Sequence, residues 1–112
     1  HDLWHIAAGY ETTGLHEIGI SAFQLAQFGH AYSAMVLAVT LTLASREAMQ
    51  FEIMMTLILE AWRHGRQAPA LIGVDWPGLW NDTVGTVRSR LGLSAFVSPY
   101  PPALFEMLQA AA

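Results

Sequence analysis

The chain has 112 residues and a mass of 12.3 kDa, room for one domain with a single modest core. Five arginines, no lysine and nine acidic side chains give a formal net charge of −4, and with no basic run nucleic acid is excluded as the main partner. Cysteine is absent, so disulfides and thiolate metal sites are excluded, and any metal must be held by oxygen and nitrogen donors.

A composition of 54% hydrophobic and 12% charged residues, with mean hydropathy +0.35, is apolar for a soluble domain. No stretch sustains the period of two that strands require, so the pattern predicts an all-α fold, a compact single-domain helical bundle. Its expected parts are a motif-bearing hairpin over residues 1–28, apolar core helices over 31–66, and a C-terminal helix and tail over 76–112. The first helix is expected over residues 1–8, stopped by Gly9 and the turn-forming GYETTG. The second is expected over 15–28, with Thr12 or Thr13 as N-cap and Gly29 as the stop. The third, AYSAMVLAVTLTLAS over 31–45, is uncharged and rich in β-branched residues. It falls short of the roughly 20 residues that span a bilayer, so a buried core helix is the first expectation, with a pocket-lining or membrane-facing element as the alternative.

The fourth helix, over 46–64, is apolar around more than half its circumference and must be covered on two sides or face something greasy. Met49, Met54 and Met55 lie on it, and Met adapts to irregular or flexible apolar ligands. Its polar stripe is Glu52, Thr56, Glu60, Arg63 and His64. Glu60 and His64 are spaced to ligate a metal, but basic groups beside Gly65 suit a helix C-terminus, and that reading is preferred. His16 and His30, near turns, are read as surface or cap residues. A fifth helix is expected over 77–91, with Trp76, Trp80, Val84, Val87 and Leu91 forming one stripe between Pro77 and Gly92. The tail SPYPPALFEMLQAAA reads as a proline-broken linker and a short amphipathic end, free to dock or stay loose.

The chemistry is concentrated in HDLWH, residues 1–5, and Glu17. On a helix His1 and His5 lie about 40° apart and Asp2 about 60° further round, so the three share one face. The turn over residues 9–14 would fold the next helix back antiparallel and bring Glu17 level with His5 and Ile6. Two imidazoles and two carboxylates match one divalent cation and suit zinc, iron or manganese. By spacing alone, a solvated helix end whose acids and histidines never meet remains open as the alternative. A free α-amino group on His1 would also allow copper chelation, although a trimmed or processed chain explains the missing initiator Met more simply.

HDLWH, eleven residues and then Glu17 resembles the HDxxH-x11-E signature of the ubiquinone biosynthesis protein 4 family. The resemblance extends through HEIGISAFQLAQFG, WRHGRQAPAL and WPGLWNDTVGTVRSRLGL, in order and spacing, over about nine-tenths of the chain. It implies an all-helical domain bound peripherally to the membrane that holds ubiquinone synthesis, either the cytoplasmic face of a bacterial inner membrane or the matrix face of the mitochondrial inner membrane. It further implies a divalent metal, usually zinc, held by His1, Asp2, His5 and Glu17. The implied activity is a carboxy-lyase reaction at C1 of a polyprenylated 4-hydroxybenzoate, with hydroxylation there as a coupled option requiring iron or manganese. A non-catalytic scaffold that binds lipid and organises other ubiquinone biosynthesis proteins is the alternative role, and a homo-oligomer is an open expectation. For the isoprenoid tail, Phe51, Met54, Met55 and Ile58 are the expected contacts, through area-driven binding. Family members carry a helical segment ahead of the motif, so trimming of such a segment is expected here. His16 stands where a small residue is usual.

Overall fold

A computed structural model describes residues 1–101, 103, 104, 106 and 107; the amphipathic end expected in the tail lies largely outside the described residues. Among the described residues the successive helices are α1 (Asp2–Ala8), α2 (Gly14–Phe28), α3 (Ala31–Ala44), α4 (Ala48–Gln67) and α5 (Val84–Leu91), with a 3-10 turn at Pro77–Leu79. No strand occurs among the described residues, and the chain is a single all-α domain.

Local chemistry accounts for most boundaries. Thr13 caps α2, its hydroxyl accepting from the His16 amide, and Thr83 caps α5 in the same way through Thr86. Glu47 caps α4 with both carboxylate oxygens, one on the Met49 amide and one on the Gln50 amide. The expected fifth helix is broken: Pro77–Leu79 makes only a 3-10 turn, and α5 restarts at Val84. The cause lies in residues 81–83. Asp82 pairs with Arg90 at 3.0 Å, and Thr83 takes an extended N-cap conformation that ends one helix and begins another.

The core is built around α2, which packs along α4 on one side and α3 on the other, while α1 lies against α5. One buried cluster joins Trp4, Tyr10, Ile20, Phe23, Leu37, Ala61, Leu71 and Leu93; a second joins Leu15, Ala44, Ile53, Met54 and Leu57. The α2–α4 contact is close at Gly65, where a Cβ would stand 2.7 Å from the Phe23 carbonyl oxygen and 2.8 Å from the Ala26 methyl. Gln27 closes that end of the interface, donating to the carbonyls of Gly65 and Pro69 and accepting from the Leu71 amide.

The molecule measures 45 × 28 × 19 Å, and its thinnest dimension is about two helix diameters. Among the described residues α3 packs mainly on α2 and α4. It buries Ser33, Leu37 and Ala44 and turns Tyr32, Met35, Val39 and Leu43 to solvent, each more than half exposed. The expectation of a buried core helix is therefore corrected. A helix apolar all round gives no direction to its buried face, and the described elements cover only part of it.

Filling the α2–α4 contact tests this packing. Gly65→Val should cost about 1–3 kcal/mol, read as a Tm lower by roughly 5–15 °C. Gly73→Val, in a loop where nothing lies within 4 Å of an added Cβ, should leave Tm within a few degrees of the parent.

Candidate metal centre

A helix of seven residues does not persist alone in water, so the motif helix α1 must be held from outside. Three devices hold it. Arg88 of α5 donates from Nε to the Ala7 carbonyl at 2.8 Å and from its terminal nitrogen to the Ile6 carbonyl at 2.9 Å, satisfying two acceptors at the helix C-terminus. The Phe96 amide donates to the Ala8 carbonyl at 2.8 Å, laying residues 95–96 across the end of α1. Gly9 permits both that crossing and the turn: its φ is +81°, and a Cβ there would meet Ala95 Cβ at 3.0 Å. Trp4 fixes the inner face, edge-on to Phe23 and Phe28.

The turn at Gly9 brings the Tyr10 carbonyl back over the helix, 3.1 Å from His5 Nδ1. A carbonyl only accepts, so Nδ1 carries the proton and His5 Nε2 presents a lone pair. His5 is buried, and its Nε2 lies 3.1 Å from His1 Nε2 and 3.2 Å from Glu17 Oε1. His1 Nε2 is 3.5 Å from Glu17 Oε2, and both those side chains are about half exposed. Ligand atoms of the three residues lie within 4.8 Å of one another.

This triangle fits a metal. At bond lengths of about 2.0–2.2 Å, two donors on a tetrahedral ion stand about 3.3–3.6 Å apart. The observed separations of 3.1–3.5 Å, with His5 facing one Glu17 oxygen and His1 the other, are close to such edges, so a modest rearrangement admits a cation between the three residues. The buried histidine also has the outer partner that metal-ligating imidazoles normally show. Of the four residues the sequence singles out, His1, His5 and Glu17 come together. Asp2 is exposed in the first turn of α1 and stands outside the cluster.

His1 and Glu17 form part of the wall of a cleft of about 510 Å³ between α2 and α3, with Ile18, Ser21, Gln24, His30, Tyr32, Ser33 and Val36. Three of these polar groups were not singled out from the sequence: Ser21, Gln24 and Ser33. Glu17, Ser21 and Gln24 recur at spacings of four and three on a largely apolar helix, a polar seam that does point at the site. A second cavity, about 300 Å³, lies elsewhere, between Leu3 and Ile6 of α1 and Trp76, Trp80 and Val84.

The remaining histidines take structural places. His16 is not the surface residue expected but is buried; its Nδ1 accepts from the Glu11 amide at 2.8 Å, and its Nε2 has no partner. Burial pushes its pKa down, the charge of Glu11 working against that and His5 with it. His30 leads into α3 and bonds Ser33. His64 accepts from the Tyr10 hydroxyl at 2.9 Å and donates to the Ser94 carbonyl at 2.6 Å, so it binds residues rather than metal, while Glu60 pairs with Arg63. Burial also pushes the Tyr10 phenol up, so it stays a neutral donor. Of the residues expected to meet an isoprenoid tail, Phe51 and Met55 are exposed, Ile58 is half-buried, and Met54 is buried at the floor of a groove of about 210 Å³ with Leu43, Ala44 and Gln50.

Residues 1–96 match the family described as coenzyme Q (ubiquinone) biosynthesis protein Coq4. The chain belongs to that family. It is also similar to the crystal structure of a protein from Nostoc punctiforme PCC 73102 named for ubiquinone biosynthesis, at 36% identity and a TM-score of 0.74 over 85% of this chain. The match covers 47% of that protein, so the chain spans about half its length. No curated protein matches the chain. Membership ties the chain to ubiquinone biosynthesis, and among the described residues no helix is long and apolar enough to cross a membrane.

The His64 contacts make stability depend on pH. Burial holds its pKa below the ordinary histidine value, only partly offset by its bond to Ser94. The unfolded chain therefore takes up a proton first, so the stability is present above about pH 6.5 and is lost as pH falls through the lower folded value. Melting between about pH 7.5 and pH 5 should show a declining Tm, and His64→Gln should flatten the decline. An undiminished slope in that variant would assign the pH dependence to other groups.

Proposed function

We propose that the chain supplies the metal-holding part of a site that removes the C1 carboxyl group of a polyprenylated 4-hydroxybenzoate. The observation that supports this most is the meeting of His1, His5 and Glu17 on a cleft in a member of this family. His1, His5 and Glu17 would hold a divalent cation, and Asp2, which stands outside the cluster, would join them as the motif's fourth donor only by turning its side chain inward. Bound there, the cation supplies Lewis-acid stabilisation of charge developing on the ring and carboxyl; zinc suits the donors, and iron or manganese is required if hydroxylation is coupled.

The chain's own side chains divide the remaining work. Ile18 and Val36 give the cleft an apolar side against which an aromatic ring packs and excludes water. His30 offers a polar contact for the carboxylate or the para hydroxyl, held in place by Ser33. Loss of carbon dioxide leaves an electron pair on C1, which takes up a proton in the simple reaction. The oxidative one would additionally consume dioxygen, two electrons from a reductant and two protons, one oxygen atom ending on C1 as hydroxyl and the other leaving as water. The isoprenoid tail would lie along α4 over Phe51 and Met55 and enter the groove above Met54, with Ile58 beneath.

A scaffolding role is a second reading, favoured by the exposed apolar side chains of α3 and α4, including Met35, Val39, Leu43, Met49, Met55 and Trp62. That surface suits peripheral contact with the membrane, on the cytoplasmic face in bacteria or the matrix face in mitochondria, or contact with other ubiquinone biosynthesis proteins or a second copy. Carbon dioxide release from a short-tailed substrate separates the readings. The enzymatic reading expects release to need metal and to fall at least 100-fold in His5→Ala and Glu17→Ala, roughly the loss of a metal ligand's transition-state contribution. Release that survives both substitutions and chelation would overturn it. Equal release with and without oxygen would select the non-oxidative reaction.

A further inference from the structure

The three clustered residues are joined to a longer chain of hydrogen bonds. Gln24 Nε2 lies 3.0 Å from His1 Nδ1, Ser33 Oγ lies 3.1 Å from Gln24 Oε1, and His30 Nδ1 lies 2.8 Å from Ser33 Oγ. Gln24 and Ser33 are buried, so these bonds have little competition from water.

The Tyr10 carbonyl sets the direction of the whole chain. It forces the proton onto His5 Nδ1, which leaves His5 Nε2 to accept; His1 Nε2 must then donate across the 3.1 Å gap. His1 Nδ1 is left as an acceptor, matching the Gln24 amide nitrogen facing it. Gln24 Oε1 accepts from the Ser33 hydroxyl, and Ser33 Oγ accepts from His30 Nδ1–H. In this state the proton on His1 Nε2 occupies the position a cation needs.

We infer that Gln24, held by Ser33, is a positioning residue that sets the tautomer of His1 and lets its Nε2 become a metal ligand. This rests on the metal reading of His1, His5 and Glu17. When a cation takes Nε2, the His1 proton moves to Nδ1, where it needs an acceptor. A half-turn of the Gln24 amide presents Oε1 to Nδ1–H and the amide N–H to Ser33. Ser33 then donates to His30 Nδ1, whose proton moves to its other nitrogen. Amide, hydroxyl and imidazole each donate and accept, so the chain reverses without losing a bond or a net proton. A Met at position 24 would fill similar space and offer neither function.

Zinc affinity measured by competition with a chelating dye tests this, with His1 preceded by added residues so that its α-amino group does not compete. Gln24→Met should weaken zinc binding 10–100-fold, the usual effect of removing an outer partner. Gln24→Glu, an acceptor needing no turn, should bind at least as tightly as the parent. Ser33→Ala, which keeps Gln24 but frees it, should weaken binding severalfold. Imidazole 15N shifts give a readout that mere packing would not move: zinc should shift the His1 proton from Nε2 to Nδ1 in the parent. Parent protein that binds zinc with Gln24→Met within about twofold of it, or with no change of His1 tautomer, overturns the role of Gln24 alone. Parent protein whose zinc affinity is unaltered by His5→Ala overturns the metal reading and this inference with it.

Discussion

The hydrogen bond from His5 Nδ1 to the Tyr10 carbonyl is the contact on which the candidate site depends. It exists because Gly9 takes a left-handed conformation that returns the backbone over the last turn of α1. That single bond fixes the ring in the buried interior, selects its tautomer and aims Nε2 at Glu17 across the hairpin. The same turn places Tyr10 among Phe23, His64 and Phe96, where its hydroxyl ties α4 to the N-terminal hairpin. A seven-residue helix thus becomes rigid enough to hold ligands, because its C-terminal acceptors are filled by Arg88, by the Phe96 amide and by its own turn.

The sequence carried the first four helices well, and for physical reasons. Gly9, Thr13 and Gly29 are strong local punctuation, and each sits where the chain turns or caps. The turn between α1 and α2 is short, which lets Glu17 reach His5. The face of α3 was not legible, because an apolar helix has no polar side to mark solvent; its exposure is set by how many neighbours the fold can supply. The break between Pro77–Leu79 and α5 was hidden under a regular apolar stripe, and only the Asp82–Arg90 pair and the Thr83 cap reveal it. The burial of His16 depends on residues 93–96 returning over it, a contact between segments eighty residues apart. Arg88 was equally hidden: nothing near it in sequence says that it caps α1.

Two different surfaces result from one thin slab. Around His1 and Glu17 the cleft wall carries polar groups linked by directed hydrogen bonds, suited to holding charge in a fixed place. Along α3 and α4 it is apolar and rich in Met, suited to a partner recognised by area rather than by direction. The proposed substrate, with a charged aromatic head and a long hydrocarbon tail, would have the same division.

The central claim is that His1, His5 and Glu17 bind a divalent cation together. X-ray absorption on the zinc-loaded protein at one equivalent of metal addresses it directly. The account predicts nitrogen and oxygen donors at about 2.0–2.2 Å with the outer-shell scattering of two imidazole rings. A spectrum fitted by oxygen donors alone, with no imidazole scattering, would contradict it.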